Sequence, residues 1–158
     1  MKWYELLSRL RTIYMLQYPP LIRWFKLWQF KDRVFITDLE YVELSMEALR
    51  GFLTFWRRYV LPNLMYRSEV FDCDDFSIYL KAKAYEYFDF QVNSFGLAYG
   101  WLCYGNDCGY HMWNVAVTDV GVVFVEPQLG EALRYKRNGT LKIVSDDGFT
   151  YTLDGVII

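Results

Sequence analysis

The chain has 158 residues, with 17 Lys and Arg against 19 Asp and Glu, a net charge of −2. That length suits one domain with its own core, and that charge excludes nucleic acid as a partner class. Hydrophobic residues make up 54% and aromatic residues 20%, enough for some of the aromatic surface to face a partner.

At the N-terminus, Glu5, Arg9 and Arg11 interrupt the apolar run before a secretory signal core can form. No stretch reaches the ~20 apolar residues that a membrane-spanning helix needs, so a cytoplasmic protein is expected. Residues 3–17 predict a helix, because Trp3, Leu6, Leu7, Leu10, Ile13 and Tyr14 recur at three- and four-residue steps. Pro19-Pro20 stops it. The following LIRWFKLWQFKDRVF interleaves Trp and Phe with Lys and Arg. It suits either a membrane surface or partner-docking face, or an apolar face packed on the main domain with solvated basic edges. The packed arrangement is the commoner fate of such a stretch. Ser45 caps a helix through MEALRGFLTFWRRYV, which Pro62 and Asn63 end. Asp72 caps another that starts near Cys73 and fades before Val92-Asn93.

From there the pattern turns to strands. LAYGWLCYG ends at Gly105-Asn106-Asp107, and HMWNVAVT and VVFVEPQ flank the turn Asp119-Val120-Gly121, so 111–126 reads as a hairpin. LKIVS and FTYTL form another around Asp146-Asp147-Gly148. Helices followed by antiparallel strands predict an α+β domain.

Three residue types carry chemistry. The cysteines are Cys73, Cys103 and Cys108. The last two could pair across a short loop, leaving Cys73 as the one free thiol. Cys73 sits at a helix start, where backbone N–H groups favour a thiolate. The lone histidine, His111, excludes a multi-histidine metal site and opens a strand after a Gly-rich turn. A cysteine at a helix start with a histidine on a later strand is the layout of cysteine–histidine nucleophilic catalysis. Glu126, near the level of His111 on the neighbouring strand, and Gln128 are the candidates to orient the imidazole, with Asn114 and Asp119 behind them. Asp74 and Asp75 oppose a thiolate by charge. Either they only cap the helix beside an inert cysteine, or they bind a hard divalent cation that Gln128 joins.

The blocks Phe71-Asp72-Cys73-Asp74-Asp75-Phe76-Ser77, His111-Met112-Trp113-Asn114 and Glu126-Pro127-Gln128 with Gly130 occur in this order. Together they resemble the D-C-D-D-F-A/S, H-x-x-N and E-P-Q blocks of the agglutinin C-terminal family, the papain-like domain of the Marasmius oreades agglutinin and its relatives. The resemblance runs over about residues 40 to 135, leaves out that agglutinin's lectin portion, and so carries no sugar binding with it. It implies a papain-like α+β fold and a Cys73–His111–Glu126 catalytic triad. It further implies calcium as cofactor, held by Asp74, Asp75 and Gln128.

The expected organisation is an aromatic, basic helical segment over 1–40 and a papain-like α+β domain over 41–158. The expected function is a cysteine peptidase or amidase, calcium-dependent, acting on a peptide or other amide. The alternative is a non-catalytic binding or structural module that docks a protein partner or a lipid surface through residues 1–35.

Overall fold

The computed structural model describes residues 1–158, apart from the side chain of Lys31. Helix α1 (Trp3–Leu16) turns Leu6, Leu10 and Tyr14 fully inward, the spacing its sequence dictates. Pro20 opens a short 3₁₀ turn that leads into α2 (Arg23–Phe30), whose only buried residue is Phe30. Strand β1 (Val34–Phe35) follows. Helix α3 (Met46–Phe55) is capped by Ser45, whose Oγ accepts the Ala48 N–H at 3.0 Å, and it widens into a π turn at Trp56–Val60. Helix α4 (Cys73–Tyr87) starts at the cysteine itself. The remaining strands are β2 (Phe95–Tyr104), β3 (Asp107–Thr118), β4 (Gly121–Glu126), β5 (Glu131–Ala132), β6 (Arg134–Asn138), β7 (Thr140–Val144) and β8 (Thr150–Ile157).

The strands form one sheet in the order β5-β4-β3-β2-β8-β7-β6, with β1 added in parallel to β8. All other pairings are antiparallel. The two ends of this path, β5 and β6, are neighbours in the chain, separated by Leu133 alone. Asp146 tightens the seam: its N–H donates to Glu131 Oε1 at 3.1 Å and its carboxylate pairs with Arg134. The sheet therefore curls into a nearly closed barrel, which removes most of its free edge.

Two helical layers cover it. Leu6, Leu10 and Tyr14 of α1 pack with Trp113, Val115, Val117, Phe124, Ile143, Tyr151 and Leu153, side chains that converge from β3, β4, β7 and β8. The alternate residues Ala116, Val123 and Val125 meet Leu49, Phe52, Phe76 and Leu80 of α3 and α4 on the other face. With both faces covered, β4 is buried along its whole length, and the polar-out alternation of a half-exposed strand is lost.

The papain-like α+β class expected from the sequence is corrected by this arrangement. Helices do precede strands, but the organising element is a single barrel-like antiparallel sheet. The cause is long-range pairing: β8 inserts beside β2, and β6 and β7 carry the sheet round towards β5. Cys103 and Cys108 face each other across the β2–β3 hairpin and are disulfide-bonded, so Cys73 is the free cysteine.

Candidate functional site

Cys73 is the first residue of α4, and its sulfur lies against the backbone of Met112, the residue after His111 on β3. Asn114 fixes that helix to the strand: its Nδ2 donates to Ser77 O at 2.8 Å and to Gly96 O at 3.1 Å. Burial raises the Cys73 thiol above its ordinary pKa, and the Asp72 and Asp74 carboxylates raise it further. The Met112 contact acts the other way and does not prevail. Burial and the two carboxylates both oppose the thiolate that a nucleophile needs.

His111 and Glu126 come together: Nε2 and Oε2 are 2.8 Å apart, and both residues are buried. A carboxylate only accepts, so the network places the imidazole proton on Nε2. The same Oε2 accepts from the Tyr151 hydroxyl at 3.1 Å, and Oε1 accepts the Gln128 N–H at 3.0 Å. Glu126 is therefore a buried, triply satisfied acceptor that ties β3, β4 and β8 together. Gly130 closes the turn behind it at φ 63°, and a Cβ there would sit 2.3 Å from Arg57 Cγ. Trp56 Nε1 donates to Pro127 O at 2.8 Å in the same corner.

Of the residues expected to hold calcium, Asp74 lies in a cluster of donor atoms at the start of α4. The donor atoms that lie within 4.8 Å of one another belong to Asp72, Cys73 and Asp74. The Asp75 carboxylate instead accepts the Asp72 N–H at 3.2 Å as part of the helix cap. Asp74 is raised above its ordinary pKa, first by the hydrogen bond it shares with Asp72.

A second feature lies on the far side of the molecule's sequence, in its first forty residues. Trp24, Phe25 and Trp28 of α2 are 81, 83 and 87% exposed, so this stretch packs on the domain through Phe30 and leaves these three rings outside. Beside them opens an apolar groove of about 690 Å³, walled by Trp3, Leu7, Arg11, Trp24, Trp28 and Leu39. The sequence marks the aromatic residues of this region. It gives no sign that Arg11 and Leu39 join them, nor that Tyr151 reaches Glu126 from β8, because both depend on distant pairings.

A family model described as "Agglutinin C-terminal" matches residues 41–132. No curated protein matches the chain. Among solved structures, one described as "PSL1a-E64 complex" superposes with a TM-score of 0.59 at 23% identity, covering 84% of this chain and 45% of that one. The lectin of Polyporus squamosus, described as bound to the human-type influenza-binding epitope Neu5Aca2-6Galb1-4GlcNAc, gives 0.53 at 20% identity, covering 94% of this chain and 48% of that one. The chain thus spans less than half the length of these two matched chains. On these matches the expected cysteine hydrolase is withdrawn. The expected papain-like fold is withdrawn on the same findings.

Proposed function

We propose that this chain, which belongs to the agglutinin C-terminal family, is a non-catalytic binding module that docks on its target through the aromatic N-terminal segment. The observation that carries this reading is the outward exposure of Trp24, Phe25 and Trp28 beside a groove deep enough for a ligand. Large aromatic rings on a surface cost stability in water unless something covers them, and contiguous apolar patches mark interaction sites. The groove adds Arg11, Thr37 and Asp38 as polar groups at an apolar wall, the mixture that orients a bound ligand. The His111–Glu126–Tyr151 cluster serves the scaffold in this reading, by pinning three strands from inside.

The test is retention of the whole chain on two surfaces: immobilised Neu5Aca2-6Galb1-4GlcNAc, the glycan recorded with the lectin relative, and supported lipid bilayers. Retention on at least one is expected, lost in a Trp24→Ala/Trp28→Ala variant and unchanged in Cys73→Ala. The reading fails if neither surface retains the chain, or if Cys73→Ala abolishes retention while the tryptophan variant keeps it.

A further inference from the structure

We infer that the segment around α2 is a membrane-interface wedge, and that its target is the surface of an anionic lipid bilayer. The inference rests on the docking role just given and names its partner.

Trp24, Phe25 and Trp28 share one face of α2 at i, i+1 and i+4 spacing, and Leu21 precedes them in the 3₁₀ turn. That face points outward: Leu21 is 96% exposed, more than any of the three aromatic residues that follow it. Ile22 beside it is exposed as well. The opposite face supplies the anchor to the body, with Phe30 buried and stacked on Tyr14 at 4.5 Å between centroids. A surface helix of a water-soluble domain ordinarily turns its polar side to solvent. Here the apolar stripe is outside, and no charged residue interrupts it.

The charge distribution selects the partner. Residues 1–33 carry seven basic and two acidic side chains, in a chain whose totals are 17 and 19. The basic excess is therefore local, on a molecule that is acidic elsewhere. Two of these cations sit on α2 itself. Arg23 donates from Nε to Tyr18 O at 3.0 Å, and the Lys26 ammonium lies 5.0 Å from the Tyr18 ring centroid. Both flank the stripe in fixed positions. Arg11 reaches the same region from α1, where it lines the groove with Trp24 and Trp28. Trp and Phe at headgroup depth with Lys and Arg at the rim is the composition that holds a helix flat in an anionic bilayer surface. Because Tyr14, Tyr18 and Phe30 already hold the segment, it meets the membrane pre-organised and loses little entropy on binding.

The experiment is sedimentation of the full chain with vesicles of phosphatidylcholine alone and of phosphatidylcholine with phosphatidylserine. Binding to the phosphatidylserine vesicles is expected, weakened by added salt because the Debye length shortens. Trp24→Glu with Phe25→Glu should abolish it without lowering the melting temperature, since both side chains are exposed. Trp24→Phe should keep it. Lys26→Ala should weaken it about five-fold, the effect of losing one basic residue near such a surface. The inference is overturned if the chain ignores both vesicles, binds them equally, or binds unchanged with the two glutamates in place. It is also overturned if the stripe instead closes a dimer of this chain, seen as concentration-dependent association that the glutamate variant removes. Glycan retention lost in Trp24→Ala/Trp28→Ala, without any vesicle binding, would leave the binding module standing and remove the membrane as its target.

Discussion

A cysteine at the first position of a helix is ordinarily acidified, because unpaired N–H groups point at its sulfur. Cys73 shows how neighbours can reverse that. Asp72, before it, and Asp74, after it, both act on the sulfur, and burial removes the water that would stabilise a thiolate. The thiolate therefore forms only above the ordinary thiol range of about 8.5. At neutral pH, iodoacetamide should alkylate Cys73 more slowly than the same cysteine in the urea-unfolded chain. Asp72→Asn and Asp74→Asn should each speed the reaction, because each removes a charge that opposes the anion. Mass spectrometry gives the rates without ambiguity, as Cys103 and Cys108 are joined to each other. Native alkylation at neutral pH faster than in the unfolded chain would mean an activated thiolate and would reverse this account.

Among the elements, α1 is the one whose importance its sequence understates. Its amphipathic spacing is plain, but the surface it covers is assembled from strands more than a hundred residues later. Leu10 is fully buried and packs into the cluster that contains Trp113, Tyr151 and Leu153. Gln17, just past the helix, accepts the Leu153 N–H at 2.7 Å. Leu10→Ala should therefore cost about 3 kcal/mol by urea unfolding, the effect of a cavity in a well-packed core. A loss below the range of a surface substitution, roughly 0.5 kcal/mol, would mean that α1 is not part of the core. Where an element is specified by neighbours along the chain, its sequence announces it. The Ser45 cap, the Asp72 cap, and the turns at Asp119-Val120 and Asp146-Asp147-Gly148 all fix boundaries that the structure keeps. Strands β5 and β6 carry no such signal. The first has two residues, and the second, Arg134–Asn138, is exposed throughout and almost entirely polar. The outward turn of α2 is likewise hidden, since period alone does not say which of two apolar faces is covered.

On the scale of the whole molecule, curling of the sheet is what brings Tyr151 to Glu126, and this contact joins the candidate site to stability. The proximity of His111 and Glu126 is legible in the sequence, because one hairpin, with Asn114 opposite Val125, carries them on neighbouring strands a short step apart. The third partner is not, because β8 reaches β3 only through β2. Burial raises the Tyr151 hydroxyl far above its ordinary pKa, and the Glu126 carboxylate beside it adds to the shift. Burial also raises Tyr14 strongly. A phenol whose folded pKa lies above its unfolded value of about 10 contributes stability that is complete below that pH. Above it, the unfolded chain releases protons that the folded chain retains, so stability falls as pH rises. The urea midpoint should accordingly stay level through the neutral range and decline above about pH 10, after a smaller earlier loss from Cys73. Tyr151→Phe separates the contributions. It removes a hydrogen bond to a buried carboxylate, so it should cost about 1–3 kcal/mol at neutral pH. It also removes one titrating phenol, so the alkaline decline should be shallower than in the wild type. An unchanged slope in Tyr151→Phe would mean that this hydroxyl ionises as freely folded as unfolded. The buried contact with Glu126 would then not be what holds the third strand in place.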